Sequence, residues 1–191
     1  KGKRLRPALL RWTCGLFGGK NENAKFAAAA VEIFHNWTLV HDEIIDNDAT
    51  RKGEPSTHCV IANFAKSKGF SDEDAKTFGL AQAILSGDIQ HAWAMNMLLK
   101  SSSLGVSHET VVELAKMLTT LGGRDLISGE ALDVEISFKN WSKVSEKDIL
   151  KIAEMKTGAL LEFCARCGAL IALDGKEKRN AAIDNIANFA K

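Results

Sequence analysis

The sequence predicts an all-α fold. Only two prolines, Pro7 and Pro55, occur in 191 residues. Few segments alternate with period two, and apolar residues recur instead at helical spacing over long stretches. The elements follow from their start signals. A short helix is predicted from Arg6 to Phe17, with Pro7 as its first residue. A long one runs from near Asn23 to Asp46, with Phe26, Ala30, Ile33, Phe34, Trp37 and Val40 as its apolar positions. A short helix covers His58 to Lys68. The next starts at Ser71, where Asp74 three residues on makes a loose capping box, and continues to Leu99. Another begins near Ser107 and reaches Phe138, with Gly122-Gly123 as the place for a bend. Ser145 with Asp148 opens a helix to Leu173, and Lys176 to Lys191 reads as a last one.

The connecting loops are short, and none is low in complexity. No linker or internal repeat is visible, so residues 1–191 read as a single domain. The expected architecture is a bundle of long, mostly antiparallel helices, whose sites are built from side chains projecting into the core. Hydrophobic residues make up 46% and charged residues 26%, the balance of an ordinary globular chain. A formal net charge of +1 gives no basic surface that would point to nucleic acid. No apolar run is long enough for a transmembrane segment. Cys164-x-x-Cys167 is the one close cysteine pair beside Cys14 and Cys59. No second pair completes a zinc spacing, and the pair reads as buried free thiols in an apolar helix rather than a metal site. Reduced thiols suit a cytoplasmic location.

The segment from His35 to His58 carries the most chemistry. Asp42 and Asp46 are four residues apart and share a helix face, with His35 two turns earlier on the same stripe. Like charges at this spacing repel, and a helix C-terminus disfavours negative charge. Local physics therefore opposes the arrangement, and Glu43 and Asp48 add to it. Taken alone, the residues read either as a solvated acidic helix end or as a site for a hard divalent cation such as Mg²⁺. Arg51 and Lys52 follow at once, before the turn signals Gly53 and Pro55. Acid, base and turn in succession suit a diphosphate, whose oxygens take Mg²⁺ on one side and cationic side chains on another.

Two further basic features stand apart. Lys3, Arg4 and Arg6 lie at the predicted start of the first helix, either as a solvated tail or as an anion site. Lys156-Thr157-Gly158 interrupts an apolar helix, and Lys156 either snorkels to the surface or points into a polar bundle centre.

Together these pieces resemble the trans-prenyl diphosphate synthase family, of the short-chain type. Gly2-Lys3-Arg4-Leu5-Arg6-Pro7 is similar to its GKRLRP signature. His41-Asp42-Glu43-Ile44-Ile45-Asp46 resembles its first aspartate-rich motif. Arg51-Lys52-Gly53-Glu54-Pro55-Ser56-Thr57-His58 resembles the RRGxPTxH that follows. Gly87-Asp88, Gly129-Glu130-x-x-Asp133 and Lys156-Thr157-Gly158 match later landmarks in order. The resemblance implies an isoprenoid-synthase helical bundle around a central cavity, acting as a homodimer. It implies that Asp42 and Asp46 ligate Mg²⁺. Arg51, Lys156 and Thr157 would hold an allylic diphosphate, and Lys3, Arg6, His35 and Lys52 would hold isopentenyl diphosphate. Asp42, Asp46, Arg51 and Lys156 would carry the catalysis. Trp37, five residues before Asp42, reads as a core aromatic or, by the resemblance, as the floor of the product pocket.

Three positions depart from the family pattern. Glu43 stands for an aspartate, Lys52 for an arginine, and Glu130 for the usual glutamine. The second aspartate-rich motif of the family falls after Lys191, so the expectation is a chain that continues natively and is incomplete at both ends. Two other readings compete. A non-catalytic subunit of a heteromeric synthase would keep the fold. An HD-type metal phosphohydrolase would use His35, His41, Asp42 and Asp88, but gives no reason for Lys3, Arg6, Arg51 and Lys156.

Overall fold

Side-chain caps set several of the helix starts. The computed structural model describes residues 2–174 and 181–191. Helix α1 spans Leu5–Leu16 and α2 Lys25–Ile45. A small ribbon follows, β1 Thr50–Arg51 and β2 Glu54–Pro55. Then come α3 Thr57–Ser67, α4 Asp72–Leu99, α5 His108–Met117, α6 Leu126–Ser137, α7 Glu146–Ile152, α8 Ala159–Leu173 and α9 Ala181–Ala190. Ahead of α4, Ser71 Oγ accepts from the Asp74 N–H at 3.1 Å and donates to Asp74 Oδ2 at 2.6 Å. Ser107 caps α5 by accepting from the Thr110 N–H. Ser145 and Asp148 form a full capping box at α7. These donors would otherwise be orphaned at a helix start. No helix among the described residues is long and apolar enough to cross a membrane.

Three expectations need correction. Pro7 is the third residue of α1, not the first. Arg4 caps the helix from a left-handed conformation, φ 54°, and Pro7 is tolerated because early helix N–H groups have no intrahelical partner. The helix expected from Ser107 to Phe138 is broken by a π-helical stretch, Leu118–Asp125, which contains Gly122-Gly123. The helix expected from Ser145 to Leu173 is broken by a second, Ala153–Gly158, which holds Lys156, Thr157 and Gly158. A π turn inserts one residue into an otherwise helical pattern, so apolar periodicity on either side does not announce it. The early part of the last predicted helix, Lys176 to Asn180, lies outside the described residues.

The chain forms two compact units, Lys1–Val31 with Met95–Lys191 and Glu32–Ala94. In the first unit, α8 supplies much of the core through Leu160, Phe163, Cys164, Cys167, Leu170 and Ile171. Gly168 lets it press on α1, because a Cβ there would lie 2.2 Å from Leu10 O. Each fully buried large apolar side chain contributes about 1.5–3 kcal/mol. Cys164 and Cys167 are fully buried free thiols. Desolvation pushes the Cys164 thiol up to about 12 and that of Cys167 well above its ordinary value. Arg166 ties α8 to α9, pairing with Asp184 while also donating to Glu162 of its own helix at 2.9 Å.

In the second unit, the C-terminal part of α2 runs antiparallel to α4. Gly87 sets the register. A Cβ there would lie 2.2 Å from His41 Nε2. That nitrogen lies 3.3 Å from Ile84 O and 3.8 Å from Asp88 Oδ1. One turn back along α2 and one turn on along α4, Trp37 therefore meets His91, with ring centroids 4.6 Å apart. Phe34 packs edge-on against Trp37 at 4.8 Å. The turn signals Gly53 and Pro55 predict a turn at this ribbon and no strands. Its Lys52 and Gly53 both have positive φ, 53° and 83°, and form the two-residue turn that matches strand twist. With two residues per strand, no alternation could reveal it.

Candidate functional site

The acidic end of α2 is built by the helix and the ribbon together. The helix stops at Ile45, one residue short of the expected Asp46, but the Asp46 N–H still bonds to Asp42 O at 2.9 Å. Asp42 is half-buried and Asp46 exposed. The ribbon turns the chain back, and Arg51 Nη1 donates to Asp42 Oδ2 at 3.1 Å. Arg51 Nε also lies 4.0 Å from Glu43 Oε1. The compensating positive charge demanded by this crowded acidic end is thus partly supplied by Arg51. The sequence offered acid, base and turn in order, but not the pairing itself, which spans nine residues across the ribbon.

Glu43 has a role that sequence reasoning missed. It is buried, and Oε2 accepts from the Thr57 N–H at 2.9 Å, at the start of α3. This satisfies an orphan donor and places a negative charge at a helix N-terminus, where it is favoured. The additional methylene of glutamate over aspartate supplies reach for this bond. His91 was missed as well, because nothing in its local sequence marks it as the partner of Trp37. Trp37 is 9% exposed, His35 is half-buried, and Lys52 is exposed at the tip of the ribbon.

The remaining predicted residues lie in the other unit. Lys156 Nζ donates to Asp133 Oδ2 at 2.7 Å and lies 2.8 Å from Glu130 Oε2. Gly129 makes this possible, since a Cβ there would lie 2.6 Å from the Lys156 backbone nitrogen. The glycine lets α6 close on the π-helical stretch. Gly158 plays the same part beside Lys191, where a Cβ would lie 2.7 Å from Lys191 O. Thr157 and Lys3 are exposed, and Arg6 is half-buried. Burial draws the Arg6 guanidinium below its ordinary value, from a starting point so high that it stays charged. An open apolar hollow lined by Leu16, Phe17, Ala182, Ile186 and Phe189 contains none of the predicted residues.

The donor set at the end of α2 suits a hard cation. Asp42 and Asp46 offer carboxylate oxygens, half-buried and exposed respectively. Among the described residues no group of three or more His, Cys, Asp or Glu side chains is arranged to hold a metal. Mg²⁺ bound through one or two carboxylates, phosphate oxygens and water does not require one.

Comparison with known proteins agrees with the motif order. A sequence model described as polyprenyl synthetase matches residues 1–190. The geranylgeranyl diphosphate synthase of Sulfolobus acidocaldarius is 36% identical over 174 residues, covering 90% of this chain and 46% of that protein. The geranylfarnesyl diphosphate synthase of Aeropyrum pernix is 35% identical over 178 residues, covering 92% of this chain and 50% of its own length. Among solved structures, a geranylgeranyl pyrophosphate synthase from Corynebacterium glutamicum, complexed with isoprenyl diphosphate and magnesium, has a TM-score of 0.84 at 28% identity. That likeness covers 100% of this chain and 52% of the other. The chain thus spans about half the length of the relatives it matches. The matches favour the synthase over the phosphohydrolase, because they run through the segments bearing the basic motifs as well as the acidic one. With the six motifs in order and a family match along nearly every residue, the chain belongs to the polyprenyl synthetase family.

Proposed function

We propose that this chain carries the first-motif half of a Mg²⁺-dependent prenyltransferase. The reaction condenses isopentenyl diphosphate with an allylic diphosphate to a short all-trans prenyl diphosphate and releases diphosphate. The observation that carries this reading is the family match over residues 1–190, within which all six motifs fall in order. Asp42 and Asp46 would hold Mg²⁺, which when bound neutralises charge on the leaving diphosphate. Arg51, Lys156 and Thr157 would bind and orient the allylic diphosphate. Lys3, Arg6, His35 and Lys52 would do the same for isopentenyl diphosphate.

The chemistry needs no protein nucleophile. The allylic C–O bond ionises, and its electron pair leaves with the diphosphate, whose growing charge Arg51 and Lys156 stabilise. The double bond of isopentenyl diphosphate attacks the allylic cation, and a proton is then lost to the departing diphosphate. The resting contacts of Arg51 and Lys156 with carboxylates support this reading, since a carboxylate presents the same kind of anionic oxygen as a diphosphate. A homodimer working in the cytoplasm completes the reading.

Product length rests on Trp37. Its ring is buried against Phe34 and His91, one turn below His41. A wall of this bulk suits a product of farnesyl or geranylgeranyl length. Trp37→Ala should lengthen the products, at a stability cost of about 3–5 kcal/mol. An unchanged product spectrum would remove the floor while leaving the synthase intact.

The direct test of the synthase incubates the full-length protein with Mg²⁺, labelled isopentenyl diphosphate and an allylic diphosphate. A defined condensation product is expected. No condensation would demote the protein to a regulatory subunit, and phosphate release alone would point to a hydrolase.

A further inference from the structure

Glu130 occupies a position where the family pattern has a neutral amide, and its surroundings give that difference a consequence. Its carboxylate lies 2.8 Å from Lys156 Nζ, and Asp133, one turn along the same face of α6, lies 2.7 Å from it. Both distances fall in the range of charge-assisted bonds. A lysine ammonium has three donors, and these two carboxylates engage two of them. The side chains of Glu130 and Lys156 are 15% and 26% exposed, so solvent screens the pair only in part. The contact is also fixed by the backbone. The bare Cα of Gly129 lets α6 approach the Lys156 main chain to a distance that no other residue permits without a shift. Glu130 is thereby delivered to Lys156 by helix packing rather than by the meeting of two free side chains.

We propose that Glu130 is a positioning residue that holds Lys156 in a resting clamp, and that the entering allylic diphosphate must take the ammonium from it. This rests on the reading of Lys156 as a diphosphate ligand. Two carboxylates thus engage the Lys156 ammonium, and an entering diphosphate has to compete with them for it. A glutamine at this position keeps the shape and a hydrogen-bond acceptor but removes one charge. The identity of residue 130 therefore sets the affinity for the allylic substrate while leaving that for isopentenyl diphosphate unaltered.

Steady-state kinetics of the full-length protein with Glu130→Gln test this, with each substrate varied in turn. The allylic KM should fall by roughly threefold to tenfold, the range for removing one partly screened charge-assisted bond. The KM for isopentenyl diphosphate should stay within twofold, on the order of assay error. Inorganic diphosphate should become a stronger competitor of the allylic substrate by a similar factor. Glu130→Asp, which keeps the charge but shortens the reach, should restore much of the wild-type KM. An unchanged or raised allylic KM in Glu130→Gln would overturn the clamp. So would a fall in kcat at constant KM, which would assign Glu130 to the allylic cation instead. Lys156→Ala separates the two levels. If it raises the allylic KM while Glu130→Gln changes nothing, the clamp alone fails. If it leaves the allylic KM unchanged, the diphosphate role of Lys156 fails with it.

Discussion

Arg51 and Lys156 are each held by two carboxylates, yet the two clusters are built in different ways. Arg51 meets Asp42 and Glu43, adjacent residues at the end of α2, through a ribbon that returns the chain within nine residues. Lys156 meets Glu130 and Asp133 across 23 or more residues, through the seating of a π-helical stretch on α6. One cluster is local and depends on a turn. The other is long-range and depends on a glycine contact. Their acids differ too. Glu43 also anchors α3 through Thr57, whereas Glu130 meets the very cation proposed to bind substrate. The comparison teaches that similar ion clusters can have different vulnerabilities, according to what brings their members together.

Between the two clusters, the larger effect is expected at the long-range one. Gly129→Ala places a Cβ 2.6 Å from the Lys156 backbone nitrogen and 2.8 Å from Met155 Cβ. It should destabilise the fold by about 1–3 kcal/mol, as overpacking does, and weaken allylic binding. Chemical denaturation beside substrate kinetics would check both. A variant as stable as the wild type would show that the helices are not held this closely.

A somewhat smaller effect is expected at the local cluster. Glu43→Gln removes the charge facing Arg51 and weakens the bond to the Thr57 N–H. The loss should be about 1–2 kcal/mol, since a buried charge-assisted bond becomes a neutral one. Chemical denaturation would check this, and an unchanged stability would contradict the anchoring of α3 by Glu43.

The smallest effect sharpens the role of the turn. Lys52 sits at φ 53°, a conformation in which a non-glycine side chain is strained. Lys52→Asn suits this turn better and should stabilise the protein by about 0.5–1 kcal/mol. It should also weaken isopentenyl diphosphate binding, if the proposed role of Lys52 holds. Gain in stability without loss of binding would leave Lys52 as a turn residue only.

Much of this organisation was legible in the sequence, and the illegible parts share a cause. Ser71, Ser107 and Ser145 announced their helices because a cap is encoded within three residues. Asp42, Arg51 and Gly53 announced a charged turn for the same reason. The π-helical stretches were legible only as a bend at Gly122-Gly123 and an interruption at Lys156-Thr157-Gly158; their π character was hidden, since one inserted residue leaves the apolar rhythm nearly intact on both sides. The pairing of Trp37 with His91 and of Lys156 with Glu130 was hidden because it depends on which helices meet. Gly87 and Gly129, which decide those meetings, look like ordinary helix glycines until a neighbour is placed against them. The family resemblance ordered the motifs but could not supply these contacts.

The most direct measurement is calorimetric titration of the full-length protein with inorganic diphosphate, with and without Mg²⁺. The account predicts binding that requires Mg²⁺, is abolished in Asp42→Asn and Asp46→Asn, and weakens by roughly tenfold or more in Arg51→Ala and in Lys156→Ala. Binding of equal strength without Mg²⁺, or binding indifferent to these four substitutions, would contradict it.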